Sequence, residues 1–181
     1  MDLRIVKTRR QIKKAFLKLR ARLMPEHIKV KDICDEAQIN KTTFYKHYND
    51  SMELSNEIDN STIESVVSKF PDREMLFESP KEYILGLLKA LEMNADSLRT
   101  VFRGKPEVLC LKLEERLHRF FADKAKSYED GIKISFAVGG FVRVVNDHIF
   151  NGKIYDIDRL VEYTVTLLEP LVPSKCRVAA L

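Results

Sequence analysis

Apolar residues recur at three- and four-residue intervals along most of the chain, and no segment shows the two-residue alternation and turn spacing of a strand set. Ile5, Ile12, Ala15, Phe16, Leu19 and Leu23 make one stripe. They predict a first helix over residues 3–23, stopped by Pro25, with Lys7, Arg9, Arg10, Lys13, Lys14 and Lys18 crowding its other faces. Val30, Ile33, Cys34 and Ala37 predict a short second helix, and Phe44 anchors a third over residues 41–48. Asn49-Asp50-Ser51 opens a long fourth helix running past Leu54, Ile58, Ile63, Val66 and Val67 toward Phe70, which joins the first part of the chain to the rest. Four further helices follow, starting near Ser79, Ala95, Glu107 and Gly131, and a last one covers residues 157–171. Ser79-Pro80-Lys81-Glu82 reads as a capping box with proline at the first helical position. The expectation is an all-α fold.

The densest chemistry lies in residues 30–48, VKDICDEAQINKTTFYKHY. Gln38-Ile39-Asn40 is a tight connection, Ile39 points inward, and Asn40 is placed to cap the next helix by satisfying an orphan N–H. With Phe44 buried, Lys41, Thr42, Thr43, Tyr45, Lys46 and His47 are left for other faces. Cations and hydroxyls suit phosphates, an aromatic ring suits sugar edges, and short side chains suit base edges. Two short helices so joined are the pattern of a helix-turn-helix whose second helix enters the major groove. Lys41 and Thr42 stand at the N-terminal end that reaches bases, whereas Thr43, Tyr45, Lys46 and His47 mainly hold phosphates, with Lys31 and Lys7 as further backbone contacts.

These residues resemble the DNA-binding segment of the tetracycline-repressor (TetR) family of bacterial transcription regulators. The resemblance rests on Val30, Ile33, Ala37, Ile39, Asn40 and the run Thr43-Phe44-Tyr45-Lys46-His47-Tyr48, with Thr8 to Leu19 as the preceding helix and Asp50 to Leu54 as the entry to the next. It covers about the first third of the chain. Three positions depart from the family pattern. Gln38 replaces the usual turn glycine, Lys29 replaces the Ser or Thr that often caps the second helix, and Ser51 stands where many members carry a phosphate-touching lysine. The family implies a DNA-binding domain over residues 1–50 and a helical dimerisation and effector-binding domain over 51–181. It also implies repression relieved by a small molecule, acting as a homodimer on a palindromic operator.

Residues 131–150 are apolar on nearly every face, which implies burial on both sides, and Gly139-Gly140 costs the helix roughly 1 kcal/mol per glycine relative to alanine. Close approach of another helix would compensate. The family resemblance implies that the last two helices pair with their copies, which would place Gly139, Gly140, Val144, His148, Leu160, Thr164 and Leu167 at a dimer seam; the alternative is that both helices lie within one monomer's core. Asp147 follows Arg143 by one turn, so a local ion pair is as good an account of that charge as a ligand cavity. Phe102, Phe120, Phe121 and Phe141 are candidates to line a pocket, although aromatic residues at helical spacing more often form plain core.

Composition narrows the choice. Residues 1–50 hold thirteen Lys and Arg against six Asp and Glu, while residues 51–181 hold eighteen against twenty-one. A basic head on a slightly acidic body is expected if only the head meets a polyanion. The Glu115-Arg116-Leu117-His118 unit has no second copy, so it makes no di-iron site, and no phosphate loop, nucleophile elbow or zinc spacing occurs. The expectation is no enzyme, no cofactor and no metal. Cys34, Cys110 and Cys176 are scattered, and there is neither a membrane-spanning run nor a signal-peptide core, which points to a cytoplasmic protein. The partners expected are double-stranded DNA, a second copy and a small-molecule effector. The alternatives are a helical protein-binding adaptor, or an activator controlled by a protein partner.

Overall fold

The computed structural model describes residues 3–72, 74–121, 127–151 and 155–168, and among them every regular element is helical. The helices are α1 (Leu3–Arg20), α2 (Val30–Ala37), α3 (Lys41–Tyr45), α4 (Ser51–Val67), α5 (Met75–Glu78), α6 (Pro80–Glu92), α7 (Ala95–Val101), α8 (Pro106–Phe121), α9 (Tyr128–Phe150) and α10 (Ile157–Leu168), with a 3-10 turn at Pro25–His27. The expected all-α class is met. Residues 169–171, expected to end the last helix, lie outside the described residues.

The chain forms two compact units, Met1–Glu64 with Asp96–Lys105, and Ser65–Ala95 with Pro106–Leu181. Packing therefore divides it differently from the division by role at residue 50. The first unit takes in most of α4 and recovers the α7 segment from much later in the sequence. The chain passes between the units at 64/65, 95/96 and 105/106, so α4 carries one of three connections.

In the first unit, Ile12, Phe16, Leu19, Ile28, Ile33, Phe44, Tyr48, Leu54 and Ile58 are buried, joined by Leu98, Val101 and Phe102. The α7 segment is tied in by polar bonds as well. Arg20, almost wholly buried, donates to the carbonyls of Val101 and Arg103, both at 2.7 Å, and of Leu23 at 3.3 Å. Burial lowers its pKa. Arg103 donates back to the Ala21 carbonyl. These bonds occupy the chain just beyond Arg20, and α1 ends there rather than at Pro25. Gly104 adopts φ +73°, and a Cβ on it would run into the Met24 thioether. Only glycine suits that position.

In the second unit, Leu76, Tyr83, Ile84, Leu87, Leu88 and Val161 form a cluster against which Phe70, Phe120, Phe121, Phe141 and Val165 pack. Helix α6 lies against α5 and α10, and α8 against α9. Ser79 precedes Pro80 as expected, yet its side chain makes no capping bond. Its N–H already serves as the end of α5, donating to Met75 O at 2.7 Å, which fixes the backbone away from cap geometry. Ser127 does cap, accepting from Asp130 N at 3.1 Å at the start of α9, three residues before the expected Gly131.

Candidate nucleic-acid interface

The turn between α2 and α3 carries the geometry the sequence called for, with glutamine in the glycine place. Gln38 adopts φ 54°, the left-handed region, and among the described residues no other non-glycine residue has positive φ. Gln38 N donates to Asp35 O and Ile39 N to Cys34 O at 3.0 Å, the paired bonds of a Schellman ending. A carbonyl left over at this helix end, that of Ala37, accepts from Gln11 Nε2 of α1 at 2.7 Å. The α2 start is repaired likewise. Lys29 supplies no side-chain cap, but Asp32 accepts the Lys29 N–H at 3.0 Å.

Asn40 Oδ1 accepts from Thr43 N at 2.7 Å, so the capping role read from the sequence is realised. Regular helix then lasts only through Tyr45; the expected final turn, Lys46 to Tyr48, closes tightly, with His47 N and Tyr48 N both donating to Phe44 O. Phe44 is fully buried, and its ring meets Tyr45 edge-on at 5.6 Å and Tyr48 at 5.8 Å. The exposed set is then Lys41, Thr42, Tyr45 and Lys46, with Asn40 beside them and Thr43 and His47 half-buried. Lys7 on α1 and Lys31 on α2 are also exposed. Asp50 caps α4, accepting from Glu53 N at 2.7 Å.

Behind α3 lies a cluster that the sequence did not single out. Glu57 of α4 takes Arg9 Nη2 at 2.6 Å on one oxygen and Lys13 Nζ at 2.7 Å on the other. Arg9 also donates to the His47 carbonyl at 3.5 Å and lies 4.8 Å from the centre of the Tyr48 ring. Burial pushes the Glu57 carboxyl upward, but the hydrogen bonds from Lys13 and Arg9 outweigh it and hold the group below its ordinary value. A carboxyl depressed in the folded state contributes stability that is complete above its unfolded pKa, about 4.3, and is lost as pH falls through the lower folded value. In urea denaturation, the stability difference between the wild type and Glu57→Gln should hold steady from neutral pH downward and shrink only in that acid range. A difference that stayed constant into strong acid would contradict the pairing.

The residues proposed for a dimer seam and a pocket are dispersed. Gly140 and Leu167 are exposed, Leu167 at 71%, and a Cβ at Gly139 or Gly140 would meet nothing within 4 Å. Among the described residues, burial of α9 on both sides is thus not met. Ile132, Phe136 and Gly140 lie on an open face, Phe136 at 80% exposure. Val144, His148 and Leu160 instead line a cavity of about 20 Å³ with Leu88, Leu91 and Tyr155, and His148 Nε2 pairs with Glu92 at 2.8 Å. Thr164 donates to Leu160 O. Arg143 and Asp147 form the expected one-turn ion pair at 3.4 Å.

The four phenylalanines fall in different units. Phe102 is buried in the first unit, whereas Phe121 and Phe141 line a cavity of about 30 Å³ in the second, with Phe120 stacked on Tyr83. Each cavity has room for about one water and neither takes a drug-sized molecule. Among the described residues, no group of His, Cys, Asp or Glu could hold a metal ion and no helix is long and apolar enough to cross a membrane.

No protein-family profile and no curated protein matches this sequence. Solved structures do. A TetR transcriptional regulator from Streptococcus agalactiae 2603V superposes with a TM-score of 0.65 at 23% identity, over 91% of this chain and 95% of that one. The dihydroxyacetone kinase operon activator DhaS superposes with a TM-score of 0.57 at 21% identity, over 92% and 97%. The chain shares the fold of these two proteins, one described as a TetR transcriptional regulator and the other as an operon activator.

Proposed function

We propose that the chain is a cytoplasmic, sequence-specific DNA-binding regulator of transcription, with Lys41 and Thr42 at base edges and Asn40, Thr43, Tyr45, Lys46, His47, Lys31 and Lys7 along the backbone. The observation that carries this reading is the α2–α3 turn. A glutamine held at positive φ and a capped five-residue helix present an exposed polar face over a buried Phe44. A buried anchor beneath an exposed polar end is what a groove-reading helix requires. The fold shared with two regulators supports the same reading.

Selection of bound fragments from genomic DNA tests it, followed by gel shifts on the selected duplex. Tyr45→Ala should weaken all duplexes alike. Lys41→Ala should relax one base position at roughly 1–3 kcal/mol if the contact is bidentate to guanine. If both variants bind like the wild type, the groove assignment fails. A protein-binding adaptor would select no duplex at all.

The open face of α9 and the exposed Leu167 of α10 support a homodimer built from these two helices, as a reader of palindromic sites needs. The glycines have space on that face, so Gly140→Leu has no steric penalty within one chain and gains helix propensity of about 1 kcal/mol. In the dimer the same leucine intrudes from both subunits, at roughly 1–3 kcal/mol each. Light scattering should find a dimeric wild type and a monomeric, undiminished helix content for the variant. A wild type that is monomeric at micromolar concentration removes the dimer.

A further inference from the structure

Helix α1 offers five cations within two turns, Lys7, Arg9, Arg10, Lys13 and Lys14, and by sequence all belong to one basic face. The structure separates them. Lys7, Arg10 and Lys14 are exposed, while Arg9 and Lys13, one turn apart, converge on the two oxygens of Glu57. The same Arg9 reaches the carbonyl of His47 with its other amine and covers the Tyr48 ring, so α1, the end of the α3 turn and α4 meet at one guanidinium.

We propose that Glu57 is a specificity-determining residue for DNA reading, holding Arg9 and Lys13 away from phosphates and turning Arg9 into the strut that positions α3. This inference rests on the function proposed above. Non-specific affinity for a duplex grows with each phosphate neutralised, whereas discrimination depends on side chains held in register with base edges. A carboxylate that sequesters two cations limits the first. Arg9, tying the recognition segment to α1 and α4, serves the second. Both cations are about one-third exposed, 38% for Arg9 and 31% for Lys13, so loss of the carboxylate charge would let them reach solvent and phosphate.

The test uses the full chain, the duplex selected by the wild type and a scrambled duplex of equal length, titrated over a salt series. Glu57→Gln should bind the scrambled duplex several-fold more tightly at low salt. Its plot of log affinity against log salt should steepen, by about 0.9 for each cation released. The ratio of selected to scrambled affinity should fall. A second pair of variants does not depend on how Glu57→Gln folds. Lys7→Met should flatten the salt slope by about 0.9, while Lys13→Met should leave it unchanged because Lys13 touches no phosphate. An unchanged slope and ratio in Glu57→Gln, or a slope lost in Lys13→Met as in Lys7→Met, overturns the proposal. If the wild type itself does not distinguish the two duplexes, the regulator reading falls and takes this inference with it. A discriminating wild type beside a Glu57→Gln variant with the same slope and the same ratio overturns the inference alone.

Discussion

Lys105→Met is expected to destabilise the first unit by roughly 3–5 kcal/mol, because it leaves a buried carboxylate without its cation. Asp59 of α4 is 2% exposed, Lys105 Nζ lies 2.5 Å from it, and the same ammonium donates to Ser55 at 3.0 Å. A surface ion pair would be worth little, since water screens it and the side chains must be ordered. Here the carboxylate has been removed from water and its partner is nearly so, and the loss of one ion costs more than the pair contributes. That asymmetry supplies the control. Lys105→Met combined with Asp59→Leu removes both charges and should recover much of the lost stability, as replacement of a whole buried pair by apolar groups often does. Urea denaturation of the two single variants and the double variant measures the coupling. A Lys105→Met variant within about 1 kcal/mol of the wild type would place the pair among screened surface contacts.

The helices and the α2–α3 turn were legible because they rest on local rules. Apolar spacing marks helices, Asn40 marks a cap, and Gln38 in a glycine position marks a left-handed residue whatever lies elsewhere in the fold. Boundaries were less legible, since they depend on what the terminal groups find as partners. Helix α1 ends at Arg20, whose guanidinium binds the carbonyls of Val101 and Arg103, and no rule of spacing connects residues so far apart. Burial of Arg20 was invisible for a related reason. A cation on an amphipathic helix reads as solvated, and only the carbonyls of the α7 segment make its burial tolerable. Glu57, Arg9 and Lys13 failed to stand out in the same way, as one charge among many on two helices. The Gly139-Gly140 pair suggested close approach of a neighbouring helix, yet a Cβ at either position would meet nothing within 4 Å. The phenylalanines show the opposite limit. Helical spacing put them on apolar faces but could not say that Phe102 packs in one unit and Phe121 and Phe141 in the other.

Phe44→Ala is expected to abolish selective DNA binding through the fold rather than through any lost contact with DNA. Phe44 is wholly buried, and it holds a helix of only five residues, far too short to be stable on propensity. Removing a buried phenylalanine side chain costs about 3–5 kcal/mol when the site cannot collapse. Collapse is hindered on one side because the buried Tyr48, covered by the Arg9 guanidinium, packs on Phe44, while the exposed Tyr45 ring meets it edge-on. Tyr45 would lose the edge contact that orients it, and Asn40 would cap a helix with no anchor. Phe44→Leu keeps most of the volume and should cost clearly less, with selective binding largely retained. Thermal melting by circular dichroism and gel shifts on the selected duplex should therefore move together across wild type, Phe44→Leu and Phe44→Ala. For a unit of this size each kcal/mol lowers the midpoint by roughly 4–8 °C, so the alanine variant should melt well over 10 °C early. An alanine variant that melts with the wild type yet loses binding would mean that Phe44 itself reaches the duplex, and the buried-anchor account of α3 would have to be given up.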